Sequence, residues 1–287
     1  MGITSPAAKG VPQNMWPLLS FVVASAIGLA TVLSVGRRGS IRRREYPWML
    51  DGVSQLHVTI VGTLAGFAFT GVVLVVTLAR DRPGRAEISL DTVVVMFLVS
   101  YLYWVGSAFL ISYLPHAKTS GDFVQRVHFS LATTIEYRTV FLSWFALLPL
   151  LQANGLGRLV PVLYFLLPAS LLLGSLLVAM ATDGLGLMSI KEIYFSAAVG
   201  TGLALTYGAI ALALPAIRSP YSPLYLALAI FCVNGIGFAL AAGTPLGCQY
   251  AGIGRFYERH GRKLIIADMQ MTMVSLSFLW LAVVGVI

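Results

Sequence analysis

The feature that most constrains the fold is an apolar segment, Val58 to Ala79, which runs for about twenty residues without a charged side chain. At a rise of about 1.5 Å per residue, a helix of this length crosses the roughly 30 Å hydrocarbon core of a bilayer. The chain just before it carries a cluster of arginines: Arg37, Arg38, Arg42, Arg43 and Arg44. Because short loops rich in Lys and Arg stay in the cytoplasm, this cluster places the start of the segment on the cytoplasmic side.

The composition extends this interpretation to the whole chain. Hydrophobic residues make up 58% of it and charged residues 10%, whereas about a quarter of the residues in a soluble domain are charged. We find no polar block long enough to form a soluble domain among the 287 residues, which predicts a single integral membrane domain over residues 1–287. The net charge of +8 lies in connectors between apolar segments, so it favours anionic lipid headgroups as partners and not nucleic acid.

Eight apolar segments are candidate membrane spans, and we expect all of them to be helical. A β-barrel would need alternating polarity, which these continuous apolar runs lack. The predicted spans are Trp16 to Val35, Val58 to Ala79, Thr92 to Leu114, Leu131 to Leu151, Leu159 to Thr182, Ile193 to Ile217, Leu224 to Leu246 and Leu264 to Ile287. The predicted fold class is therefore all-α, a polytopic transmembrane helical bundle.

The distribution of positive charge predicts the orientation. With the N-terminus outside, most Lys and Arg residues, Arg138 among them, fall on the cytoplasmic side of a plasma membrane. The fourth span is the least regular, because Glu136 and Arg138 lie in its first third. The alternative is that residues Val124 to Arg138 form an amphipathic helix on the membrane surface, which would leave seven crossings.

An internal repeat is a further hypothesis. The tripeptide Val-Gly-Thr occurs at positions 61–63 and 199–201, and the same offset approximately superposes the first four spans on the last four. Two halves of four spans each, about residues 14–152 and 153–287, would form a parallel repeat like those of some transporters. In a chain with 28 glycines, the alternative is that the shared tripeptide arose by chance.

The eighth span carries the first candidate functional site. Asp268, Thr272 and Ser275 share one face of a helix, since they lie at positions i, i+4 and i+7. We expect this face to point into the bundle, because an ionised carboxylate facing lipid costs at least about 3 kcal/mol. The alternative is that Asp268 pairs with Arg262 or Lys263 near the interface.

The seventh span carries the second candidate site. Asn234 lies near the middle of the membrane, with Gly235 and Gly237 beside it. An amide at this depth needs a hydrogen-bond partner, and the two glycines favour local unwinding, which in transporters exposes backbone groups to an ion or solute. The alternative is a hydrogen bond between two closely packed helices.

Small residues at four-residue spacing predict close helix packing in two spans. Gly62 and Gly66 form such a pair in the second span, and Ser170 and Gly174 form one in the fifth. These faces suit contacts within the bundle, with other membrane subunits or with a second copy of the chain.

The four histidines, His57, His116, His128 and His260, all fall on the predicted cytoplasmic side. Together with nearby carboxylates they suggest a divalent metal site, whose bound water would attack a lipid ester or amide. No two of them have the spacing of ligands on one helix. The alternative is that they are solvated loop residues.

The connector from Gly247 to Lys263 combines glycine, aromatic and basic residues. We expect it to form a short helix at the headgroups, with its charges on lipid phosphate: Arg255, Arg259, Arg262 and Lys263. The alternative is a docking site for a cytosolic partner.

Motifs of common enzymes are missing from the sequence, which has no Gly-x-Ser-x-Gly elbow, no phosphate-binding loop and no Asp-rich motif for Mg-diphosphate. No cofactor is predicted. The sequence favours a transport or permeation component for a small solute or ion. The alternatives are a non-catalytic subunit or sensor of a membrane complex, and the metal-dependent lipid hydrolase.

Overall fold

The computed structural model describes residues 50–81, 87–112, 122–153 and 223–283, together with isolated residues between 156 and 206. The four continuous segments form α-helices and no strand: α1 (Leu50–Asp81), α2 (Glu87–Ser112), α3 (Asp122–Phe145), α4 (Leu147–Ala153), α5 (Pro223–Gln249) and α6 (Ala251–Val283). The all-helical prediction is confirmed for this part of the chain. The first, fifth and sixth predicted spans lie outside the described helices.

Four of the helices are long and apolar enough to cross a membrane. The segments concerned are Gln55–Thr77 in α1, Asp91–Ser112 in α2, Ala227–Thr244 in α5 and Gly252–Leu281 in α6. They correspond to the second, third, seventh and eighth predicted spans. The described helices thus support a membrane-embedded bundle, while a total of eight spans stays a prediction.

The central helix is α3, although it is more polar than its neighbours. It packs against α2, α5 and α6. Four successive residues of α3, Ile135, Glu136, Tyr137 and Arg138, are all buried. Since successive helical residues point about 100° apart, α3 is enclosed on every side at this level. The alternative of a surface helix over residues 124–138 is therefore wrong, because such a helix would expose one face.

Side-chain contacts fix the directions of α5 and α6 relative to α3. His128 in the first half of α3 lies against Ala241 of α5, whereas Arg138, farther along α3, lies against Asn234. These contacts make α3 antiparallel to α5. Only Tyr250 separates the end of α5 from the start of α6. The two helices form a hairpin, which makes α6 parallel to α3.

Helix α6 begins earlier than the sequence predicted. We expected a connector over Gly247 to Lys263 and a span from Leu264, but the helix is continuous from Ala251. Its glycines do not end it, because Gly261 provides a close contact. A Cβ atom on Gly261 would lie 2.7 Å from Cγ2 of Val127 in α3. Packing between helices here outweighs the weak helical propensity of glycine.

The basic residues at the start of α6 are accordingly helical. Arg255, Arg259, Arg262 and Lys263 are all exposed. Their contact with lipid headgroups stays a prediction, as does that of the arginine cluster at residues 37–44, which lies outside the described residues.

Tyr257 joins α6 to α5 with one hydrogen bond. Its buried hydroxyl donates to the carbonyl oxygen of Leu240 at 2.7 Å. We expect Tyr257→Phe to lower the free energy of unfolding by about 1 kcal/mol, the net contribution of one such bond. Denaturant titration of the detergent-solubilised protein measures this change. The matched control is Tyr250→Phe, at an exposed ring, which should leave the stability unchanged.

Candidate functional site

A fully buried arginine lies at the centre of the bundle. Arg138 of α3 has no exposed surface. Its Nε donates to Oδ1 of Asn234 at 2.5 Å, and its Nη1 donates to Oδ1 of Asp268 at 2.6 Å. Nη1 also donates to Oγ1 of Thr272 at 2.7 Å. We call these four residues, Arg138, Asn234, Asp268 and Thr272, the Arg138 cluster.

The cluster forms because two helices present polar residues to α3 at the same depth. Asp268 and Thr272 are one turn apart on α6, and Asn234 lies on α5. The Thr272 hydroxyl donates to the carbonyl oxygen of Asp268 at 2.6 Å, which leaves its lone pairs free to accept from Arg138. The inward orientation expected for Asp268 and Thr272 is confirmed by their burial.

The charged pair leaves hydrogen-bonding capacity unused. Nη2 of Arg138 and Oδ2 of Asp268 are buried, and neither has a hydrogen-bond partner among the described residues. A guanidinium group and a carboxylate commonly pair through two parallel bonds, but here they share only the bond from Nη1 to Oδ1. Leaving such groups unpaired costs about 1–3 kcal/mol each. These two atoms are where a bound ion, solute or water would be stabilised.

Gly237 provides the space for the guanidinium group. A Cβ atom at this position would lie 2.6 Å from Nη2 of Arg138 and 3.4 Å from Oδ1 of Asp268. Gly235 lies on a different side of α5. A Cβ atom on Gly235 would lie 3.2 Å from the hydroxyl oxygen of Tyr103. The predicted unwinding at Asn234 is wrong, since α5 is a continuous helix through these residues. The two glycines instead allow side chains of the neighbouring helices, Tyr103 and Arg138, to approach α5 closely.

The two other residues considered beside Asp268 do not pair with it. Arg262 is exposed and lies 3.3 Å from Glu192, and Lys263 is exposed as well. The interfacial alternative for Asp268 is therefore wrong. Ser275, the third residue of the predicted polar face, is half-buried and donates to the carbonyl oxygen of Thr272 at 3.1 Å. It stands beside the cluster without joining it.

A second polar pair lies on another face of α3. Nε2 of His57 in α1 is 3.2 Å from Oε2 of Glu136. Glu136 is buried, and its Oε1 has no hydrogen-bond partner in the described part of the chain. Two positions along a helix correspond to about 200°, so Glu136 and Arg138 point to nearly opposite sides of α3.

The histidines have separate surroundings. The ring nitrogens of His128 lie 2.8 Å from the carbonyl oxygens of Leu110 and Ala241, so this side chain joins α2, α3 and α5. His57 lies beside Glu136, and His260 is exposed with its ring near Phe256. His116 lies outside the described residues. Nowhere within the described ranges do three His, Cys, Asp or Glu side chains gather as metal ligands would.

The small residues predicted for packing do not carry the close contacts of the described helices. No atom of a described residue lies within 4 Å of where a Cβ on Gly62 or Gly66 would be. Ser170 donates to the carbonyl oxygen of Leu166 in its own turn, and Gly174 lies outside the described residues. The tight contacts lie at other glycines: Gly106, Gly237, Gly243 and Gly261.

Arg138 is the residue of the candidate site that sequence reasoning missed. It was assigned to the cytoplasmic side because it lies near the start of a predicted span. A signal was available, since Asp268 and Asn234 lie within other apolar segments and buried polar residues need partners. A basic residue inside a span is the natural counter-ion for a carboxylate inside another.

The chain was compared with known proteins at three levels. No family model, no curated protein and no solved structure matches it.

Proposed function

We propose that this protein is a transport component for a small solute or ion, with the Arg138 cluster as its binding site. The observation that carries the proposal is the buried pair of Arg138 and Asp268, in which one nitrogen and one oxygen have no partner among the described residues. Ionisable residues inside membrane bundles are rare, and they commonly mark the paths of ions and substrates. The distribution of arginines favours the plasma membrane, with the basic connectors in the cytoplasm.

The energetics of the pair support a functional role over a purely structural one. Replacing a buried ion pair with well-packed apolar residues is often neutral or stabilising, because the desolvation of two charges offsets their attraction. A bundle that needed only stability would be served as well by leucine or methionine at these positions. A pair with unused hydrogen-bonding atoms is a still weaker source of stability.

The position of the cluster also suits a movement of α3 relative to α5 and α6 when a ligand binds. Arg138 holds α3 to α5 through Asn234 and to α6 through Asp268. A ligand that bonds to the guanidinium group would compete with these contacts. Binding would thereby loosen α3 from the hairpin of α5 and α6, and such a shift between helices is what alternating access requires.

Flux through reconstituted vesicles tests the proposal. The purified chain is placed in liposomes, and the movement of H⁺, Na⁺, K⁺, Cl⁻ and formate is followed with internal indicators. We expect flux of at least one of them, and a loss of at least about tenfold in Asp268→Asn, which removes the charge from the pair. The matched control is Glu258→Gln, the same chemical change at an exposed site on α6.

Two results would contradict the proposal. The first is flux in Asp268→Asn equal to that of the unmodified protein, with both proteins folded. The second is the absence of flux for every ion in the panel above that of empty liposomes.

A further inference from the structure

We infer that the ligand of the Arg138 cluster is a small monovalent anion, which binds together with one proton carried by Asp268. The inference rests on the proposed function and adds its substrate class. It follows from the geometry of the guanidinium group and from the charge balance of the cluster.

One nitrogen of the buried guanidinium group, Nη2, has no hydrogen-bond partner among the described residues. Nε and Nη1 of Arg138 are engaged with Asn234, Asp268 and Thr272, whereas Nη2 donates to none of the described residues. Nη2 is buried against Gly237 and lies 2.6 Å from where a Cβ on that residue would be. A nitrogen with two free N–H groups on a permanent cation is a donor site for an anion.

Among the described residues, the charges around the cluster cancel. From α3 the cluster receives the positive charge of Arg138, and from α6 the negative charge of Asp268. Helix α5 contains no Asp, Glu, Lys, Arg or His and contributes the neutral Asn234. From α2 the nearest titratable group is Tyr103, whose hydroxyl donates to the carbonyl oxygen of Phe231. Glu136 lies near His57, on a different side of α3.

This balance restricts which ligands fit. An uncompensated charge in a buried site is strongly unfavourable. A cation would add a second positive charge beside Arg138, and an anion alone would add a second negative charge beside Asp268. An anion that arrives with a proton on Asp268 keeps the sum at zero.

The binding step is an exchange of partners on the guanidinium group. The Asp268 carboxylate takes up one proton, and its bond from Nη1 of Arg138 is released. Nη1 and Nη2 then donate to the anion. When the anion leaves, Asp268 loses its proton and pairs with Arg138 again, so one proton and one anion move together and no bond other than O–H is made or broken.

Anion binding at several pH values tests the inference. The detergent-solubilised chain is titrated with sodium chloride and with sodium formate at constant ionic strength, made up with sodium sulfate, and binding is followed as the rise in unfolding temperature. Linkage requires the apparent affinity to increase about tenfold for each pH unit of acidification while Asp268 is ionised. Asp268→Asn should bind the anions without this pH dependence, and Arg138→Gln should not bind them.

One control variant and two contrary results complete the test of anion binding. Glu258→Gln, on the exposed side of α6, should keep the pH dependence of the unmodified protein. Binding that is independent of pH in the unmodified protein would overturn the inference, even if Arg138→Gln does not fold. So would stabilisation by Na⁺ or K⁺ that requires Asp268 and occurs without any effect of the anions.

The two proposals fail in different ways. Flux of a cation that requires Asp268, without anion binding, would overturn the anion inference and support the proposed transport function. Anion binding with the expected pH dependence but without flux in liposomes would support the anion site and contradict transport.

Discussion

Replacing Arg138 with methionine is expected to lower the free energy of unfolding by about 3–5 kcal/mol. The substitution keeps most of the side-chain volume but removes the only charged partner that the described structure gives to Asp268, whose own side chain is 6% exposed. The remaining carboxylate would be buried with its charge uncompensated. Asn234 would also lose the donor to its Oδ1.

The unfolding of this variant can be measured by detergent or denaturant titration. The double variant Arg138→Met with Asp268→Leu should regain most of the loss, since an apolar pair replaces both charges. Arg262→Met is the matched control at an exposed pair, Arg262 with Glu192, where about 0–1 kcal/mol is expected. Equal effects of the Arg138 and Arg262 substitutions would show that the buried pair is not ionic.

Gly237→Ala is expected to lower the free energy of unfolding by about 1–3 kcal/mol, although alanine is the better helix former. The added methyl group would lie 2.6 Å from Nη2 of Arg138. A long side chain normally moves aside cheaply, but this guanidinium group is held by Asn234 and Asp268. Moving it breaks those bonds.

A double-mutant cycle isolates this effect. In an Arg138→Met background the methyl group no longer meets a guanidinium, so Gly237→Ala should cost much less there. Gly66→Ala is the control in another apolar helix, at an exposed glycine with no described atom near its Cβ position. It should leave stability nearly unchanged or raise it slightly. An equal cost in both backgrounds would contradict the close contact.

Much of the architecture of the described helices could be predicted from the sequence. Long uncharged runs force helices, because backbone groups in lipid must pair within their own segment. This argument identified α1, α2, α5 and α6 but placed the start of α6 wrongly. Helix α6 begins at Ala251, well before Leu264, since a helix extends as far as packing supports it and does not stop where the apolar run ends.

The candidate site was only half predictable. The burial of Asp268, Thr272 and Asn234 follows from the cost of exposing polar groups to lipid, which depends on local sequence. Their convergence on Arg138 depends on which helix faces which, and no local pattern contains that information. The glycines show the same limit, since Gly237 is needed for a contact with α3 that its neighbours in sequence do not reveal.

Histidine illustrates a different limit. The predicted location of all four histidines on one side of the membrane suggested a common site. Such a location says nothing about where each residue lies within the plane of the membrane. His128 bonds to backbone carbonyls of α2 and α5, whereas His260 lies on the exposed surface of α6. Two residues at the same depth can therefore lie on different sides of a bundle.

The polar character of α3 affects the order in which the protein is assembled. During synthesis Arg138 is made well before its counter-ion, because Asp268 follows it by 130 residues. An arginine near the middle of a helix costs about 2.5–3.5 kcal/mol on membrane insertion, so α3 alone is a poor candidate for lateral release into lipid. Its lasting residence in the bilayer depends on the hairpin of α5 and α6. A segment made later in synthesis therefore decides whether a helix made much earlier is retained.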